Sequence, residues 1–196
     1  HARLSAGRMR ILWPTVSALS TGFGILSPPF IAMPAFSPGL PSRYNISLTA
    51  LSLVAAVILT GVGLAMAMSP AWRLGPWLGG AVVGGGIATM HYLGMAAFEI
   101  EGVILWDPVL VAASILLGTL IGATALPAGL HSQSERWKAA GALLLTLAIC
   151  SHHFTAMGAA SIIPDPTMKV SQQALPAAWL AFSVAVASFT IIVLAL

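Results

Sequence analysis

Six long apolar runs alternate along the chain with short joints rich in turn residues. The runs cover about 12–34, 46–68, 76–98, 108–130, 137–160 and 174–196. Each reaches the roughly 20 mostly apolar residues that a helix needs to cross a bilayer. The joints read PAFSPGLPSRYN, SPAWRLGP, EIEGVILWDP, HSQSER and IIPDPTMKVSQQ, which are sequences that break helices and turn the chain. Transmembrane barrel strands would be about ten residues long and alternate apolar with polar. These runs are too long and too evenly apolar for that. The expected fold is all-α: a polytopic transmembrane helix bundle with six spans.

Composition agrees with the pattern. Charged residues make up 7% and hydrophobic ones 58% of the chain, and mean hydropathy is +0.95. A soluble domain carries about 25% charge, so a water-exposed surface cannot be assembled from these residues. The basic residues are scattered and form no patch for nucleic acid; the surrounding partner is membrane lipid. Cys150 is the single cysteine and lies in an apolar run, which excludes an intrachain disulfide and a C-x-x-C redox pair. Phosphate-loop, kinase and Ser–His–Asp patterns are missing, so no enzyme activity is expected. The glycines of 79–86 sit inside a span, without the strand–turn–helix setting of a nucleotide site.

Basic residues favour the cytoplasmic side of a membrane. With the N-terminus inside, the inner joints hold Arg3, Arg8, Arg10, Arg73, Arg136 and Lys138, and the outer ones only Arg43 and Lys169. Joints 34–45, 99–107 and 161–173 then lie outside, together with Glu99, Glu101, Asp107 and Asp165. Asp107 and Asp165 precede prolines and read as turn and helix-start residues.

A repeat runs through the spans. SPPFIAMPAF at 27–36, TMHYLGMAAF at 89–98 and SHHFTAMGAA at 151–160 align at a constant offset. Pro29, His91 and His153 share one column, Phe30, Tyr92 and Phe154 the next, and Met33, Met95 and Met157 a third. Each period spans two helices, so the units run parallel, as about 12–73, 74–135 and 136–196. Parallel repeats are related by an axis along the membrane normal, which places all three motifs at one depth near the outer ends of their helices. His91 stacks over Met95 and His153 over Met157, because positions i and i+4 share a helix face. Small neighbours such as Gly94, Ala96, Ala156 and Gly158 permit close helix approach.

A titratable side chain at membrane depth points to function unless packing satisfies it, and two hydrogen-bonded core histidines are the plain structural reading. Imidazole with thioether suits copper, above all Cu(I). Zinc favours Cys, His or carboxylate, and the nearest carboxylate, Glu99, lies eight residues past His91. Haem ligation by His91 and His153 is an alternative without a recognisable pocket. His152 points about 100° away from His153 and reads as a neighbour of the site or as facing another helix. Tyr92 and Phe154 read as interfacial aromatics, with the Tyr92 hydroxyl an alternative hydrogen-bond donor to a ligand.

Met90-His91-Tyr92 followed by Gly94-Met95 resembles the signature of the bacterial MHYT domain, an integral membrane sensor family. HHFTAMGAASIIPDP resembles that family's last motif and loop, and GFGILSPPFIAMPAF at 22–36 with SRYNISLTALSL at 42–53 its first motif and next helix. The likeness covers essentially all of residues 1–196. It implies a seven-helix domain whose N-terminal helix is missing here, in the bacterial inner membrane. A cytoplasmic signalling output would follow it. It also implies a copper site built from His91, Met95, His153, Met157 and Met33, sensing oxygen, carbon monoxide, nitric oxide or a redox or metal signal. Pro28 and Pro29 stand where the first motif would carry Met and His, so one expected ligand is absent.

Three functions are compatible with these residues. One is a copper-containing membrane sensor acting on a signalling domain or partner protein, with a homodimer as an allowed assembly. The second is a metal transporter or metal-handling protein. The third is a degenerate structural membrane domain.

Overall fold

The computed structural model describes residues 21–22, 42–168, 170–171 and 174–195. The first predicted run lies outside the described residues except for 21–22, as do Pro28, Pro29 and Met33. Gly22 is helical and buried, and lies against Val57.

Five helices follow: α1 Ile46–Met68, α2 Gly75–Ala97, α3 Pro108–Leu130, α4 Glu135–Gly158 and α5 Ala177–Ala195. The expected runs at 46–68 and 108–130 coincide with α1 and α3, and those at 76–98, 137–160 and 174–196 shift by one to three residues. At 1.5 Å per residue, a 23-residue helix is about 34 Å long, more than the roughly 30 Å hydrocarbon core. Among the described helices, α1, α3 and α4 are long and apolar enough to cross a membrane. Their outer faces are apolar too: Val109, Leu120 and Leu143 are exposed.

Helix starts follow local chemistry. The Asn45 side chain accepts from Leu48 N at 3.2 Å and caps α1. Asp107 Oδ1 accepts from Val109 N and Leu110 N at 2.8 and 3.1 Å, with Pro108 at the first helical position of α3. Such caps satisfy amides that have no partner within the helix.

Helix α2 is the centre of the bundle, packed against α1, α3 and α4. Its glycines make this approach. A Cβ on Gly79 would overlap the Gly63 carbonyl of α1, and one on Gly84 the Gly118 carbonyl of α3. Glycine and His91 dilute the hydropathy of α2, a loss that its neighbours compensate by shielding it from lipid.

The joints predicted as loops at 99–107 and 161–173 contain strands, as does the end of the first outer joint. β1 (Ser42–Tyr44) pairs antiparallel with β2 (Phe98–Ile100) and with β5 (Leu175–Pro176). β3 (Gly102–Trp106) pairs with β4 (Ala160–Pro164) from Gly102↔Pro164 to Trp106↔Ala160. GVILW and ASIIP carry the branched and aromatic residues that suit paired strands, and pairing satisfies backbone groups where the chain leaves the helices. β2 continues directly from the end of α2 and β4 follows α4 within two residues, at the end of the bundle that carries the His motifs. Glu99 ties them down: Oε1 accepts from Asn45 Nδ2 at 3.3 Å and Oε2 from Ser171 N at 2.9 Å.

Candidate metal centre

His91 lies six residues before the end of α2, and His153 five before the end of α4. At 1.5 Å per residue that is about 9 and 8 Å from the two helix ends. The rings meet across the interface. His91 Nδ1 and His153 Nδ1 are 3.4 Å apart, between residues separated by 62 positions in the chain. This is the long end of an N–H···N hydrogen bond, in which one ring donates and the other accepts. Both residues are buried.

His152 joins them. Its ring centroid stands 5.2 Å from that of His91, edge to face, and that of His153 stands 5.3 Å from His91. The sequence allows His152 to ligate, to neighbour the site or to face another helix; the structure places it against His91 while its Nδ1 reaches α3. Two small residues, Ser114 and Gly118, open the space. A Cβ on Gly118 would stand 3.2 Å from His152 Cβ. Their spacing of four on span 108–130 is the signal in the sequence that points to this groove.

The hydrogen bonds around His152 fix its tautomer. His152 Nδ1 lies 2.9 Å from the Ser114 carbonyl oxygen. A carbonyl only accepts, so Nδ1 carries the hydrogen and Nε2 of the neutral ring is bare. Ser114 Oγ donates to the Val111 carbonyl at 2.8 Å, so the Tyr92 hydroxyl, 2.8 Å away, donates to Ser114 Oγ. The Tyr92 proton is thereby used within the bundle, and its ring rests edge-on against Trp106 at 5.4 Å. Phe154 points outward and is 69% exposed, which fits its reading as a lipid-interface aromatic.

Two ring nitrogens, His91 Nε2 and His152 Nε2, are buried and have no hydrogen-bond partner. A buried polar atom left unmatched costs about 1–3 kcal/mol, and ligand or metal sites are where such costs recur. Met95 is buried in the hydrophobic core of the bundle, and Met157 packs against that core. Among the described residues, no three His, Cys, Asp or Glu side chains are placed to hold a metal ion together. The 3.4 Å between His91 Nδ1 and His153 Nδ1 is nevertheless a separation that two imidazole ligands of one cation would span. With imidazole–metal bonds of about 2.0 Å, two nitrogens on a trigonal or tetrahedral ion stand about 3.3–3.5 Å apart. Glu99, the nearest carboxylate in sequence, is engaged by Asn45 and Ser171. Cys150 is partly exposed and unbridged.

The model of a family described as "MHYT: Bacterial signalling protein N terminal repeat" matches residues 22–80 and 84–142. The chain belongs to the MHYT family. The two MHYT matches begin 62 residues apart, at 22 and at 84. Among curated proteins, the chain is 35% identical over 182 residues to an uncharacterized signaling protein of Caulobacter vibrioides, covering 93% of this chain and 22% of that protein. It is 35% identical to the bifunctional diguanylate cyclase/cyclic di-GMP phosphodiesterase MucR of Pseudomonas aeruginosa, over 98% of this chain and 29% of MucR. It is 36% identical to the cyclic di-GMP phosphodiesterase NbdA of the same organism, over 86% of this chain and 23% of NbdA. The chain therefore spans less than a third of the length of these relatives. The family it matches is the N-terminal repeat of a signalling protein and not a cyclase or phosphodiesterase, so it corresponds to their MHYT portion and not to a catalytic one. No solved structure matches the chain significantly.

Proposed function

We propose that this MHYT chain is a copper-binding sensory domain of the bacterial inner membrane. His91 and His153 would hold the ion through nitrogen, and Met95, Met157 and Met33 are the thioether candidates, a donor set suited to Cu(I). One observation carries the reading. Residues equivalent under the 62-residue offset, His91 and His153, come within 3.4 Å of each other inside a buried, apolar helix interface. The matched segments at 22–80 and 84–142 support a parallel repeat, read here as three two-helix units at about 12–73, 74–135 and 136–196, and six spans.

The signal is a diatomic gas (oxygen, carbon monoxide or nitric oxide) or a redox or metal change at the outer face. Its transmission requires two helix arrangements with different affinity for that signal. The names of MucR and NbdA support a cytoplasmic output that makes or breaks cyclic di-GMP. The distribution of basic residues favours an inside position for the start of the chain and for the 131–136 joint. Cysteine labelling in spheroplasts checks this: Ser171→Cys should react with an impermeant thiol reagent and Ser132→Cys should not, and the reverse pattern would invert the topology.

The test of the site is metal content. Detergent-purified chain loaded with Cu(I) under reducing conditions should retain near-stoichiometric copper, and the His91→Ala/His153→Ala variant little. A folded parent chain that holds no copper refutes the site and favours a structural role for the two histidines.

A further inference from the structure

The two orphaned nitrogens are complementary once the site is filled. A neutral imidazole that gives its Nδ1 lone pair to a cation keeps its hydrogen on Nε2. His91, holding the ion through the Nδ1 that faces His153, would therefore present Nε2–H. That atom is buried without an acceptor. His152 has the opposite lack. Its hydrogen is committed to the Ser114 carbonyl at 2.9 Å, and its bare Nε2 is buried without a donor. The two rings touch edge to face, with centroids 5.2 Å apart, and His152 is 0% exposed. One donor without an acceptor and one acceptor without a donor thus lie on adjacent rings.

We propose that His152 is the positioning residue of the site: its Nε2 accepts the His91 Nε2–H in the loaded state, and the Ser114 carbonyl holds His152 in the tautomer that can do so. The inference rests on the copper reading above. Imidazole ligands generally hand their second N–H to a neighbouring acceptor, which orients the ring and raises its basicity. Here the acceptor is a second histidine, from α4, anchored in turn on α3. The pairing ties the state of the site on α2 and α4 to the backbone of α3 at Ser114, whose hydroxyl also receives the Tyr92 proton. On loading, the His91–His153 hydrogen bond gives way to the ion and a buried hydrogen bond from His91 to His152 ties α2, through α4, to α3, which is a difference a sensor can transmit.

The experiment uses the chain in detergent, titrated with Cu(I) against a chromophoric chelator, with X-ray absorption to count ligand nitrogens. His152→Asn keeps a donor toward the Ser114 carbonyl but offers nothing at the Nε2 position. It should bind the same amount of copper, with the same number of coordinated nitrogens, at an affinity about 10- to 100-fold lower. His152→Gln, which places an amide near the Nε2 position, should recover most of that loss. In wild-type protein labelled with nitrogen-15 histidine, loading should move the His152 Nε2 resonance to that of a hydrogen-bond acceptor. This last measurement decides the matter if the variants fail to fold.

An unchanged affinity in His152→Asn overturns the proposal while leaving the copper site intact. So does loss of a coordinated nitrogen, which would make His152 a ligand. A wild-type His152 resonance that ignores loading overturns it as well. A wild-type chain that takes up no copper removes the copper reading itself, and the pairing falls with it.

Discussion

Tyr92 on α2 donates its hydroxyl hydrogen to Ser114 Oγ on α3, and the carbonyl of that same serine holds His152 on α4. Three helices are thus joined at one buried serine beside the His91–His153 pair. The arrangement uses up the phenol's hydrogen inside the bundle, against the alternative that Tyr92 serves a bound gas molecule.

Tyr92→Phe should accordingly cost stability and spare the site. The loss of one buried hydrogen bond is worth about 1 kcal/mol, read as a lower unfolding midpoint in detergent. Copper content should remain at the parent level. A variant that unfolds normally but loses its copper would show that the phenol acts on the site directly.

The contact between α2 and α3 should be intolerant of a methyl group at one glycine and indifferent at its neighbour. A Cβ on Gly84 would overlap the Gly118 carbonyl and stand 2.7 Å from Thr119 Cα, whereas one on Gly85 meets nothing within 4 Å. Gly84→Ala is expected to destabilise by about 1–3 kcal/mol through forced separation of the helices. Gly85→Ala should be neutral or stabilise by up to about 1 kcal/mol through helix propensity. Thermal unfolding of the two variants side by side distinguishes them, and equal effects would contradict the packing described here.

Outside the helices, Asp165 provides a pH-dependent turn. Its Oδ1 accepts from Thr167 Oγ1 at 2.7 Å and from Thr167 N at 2.9 Å, and these bonds hold its carboxyl below the usual aspartate range. A folded-state pKa below the unfolded one means that the turn is supported above the unfolded value. That support is lost as pH falls through the folded one. The Thr167 amide resonance should titrate with a midpoint below that of an aspartate in an unfolded peptide, and Asp165→Asn should abolish the titration. A midpoint at or above the peptide value would contradict the turn.

Much of this protein is legible from local chemistry. Apolar run length marked the five described helices to within a few residues, because a span must be long enough to bury its own backbone hydrogen bonds in lipid. Asp107-Pro108 marked a helix start, since a carboxylate can cap free amides and proline has none to cap. The column shared by His91 and His153 singled out two residues whose Nδ1 atoms the structure brings within 3.4 Å of each other across two helices.

What the sequence could not decide was which of these residues touch. That His91 meets His153, and that His152 also reaches His91 while anchored on Ser114, depends on how closely α2, α3 and α4 approach. That distance is set by glycine pairs such as Gly84 and Gly118, on different helices and far apart in the chain. The strands in the joints beside the His motifs have the same origin. Their residues suit β structure but are too few to form it alone, and pair only because the helix ends bring them side by side.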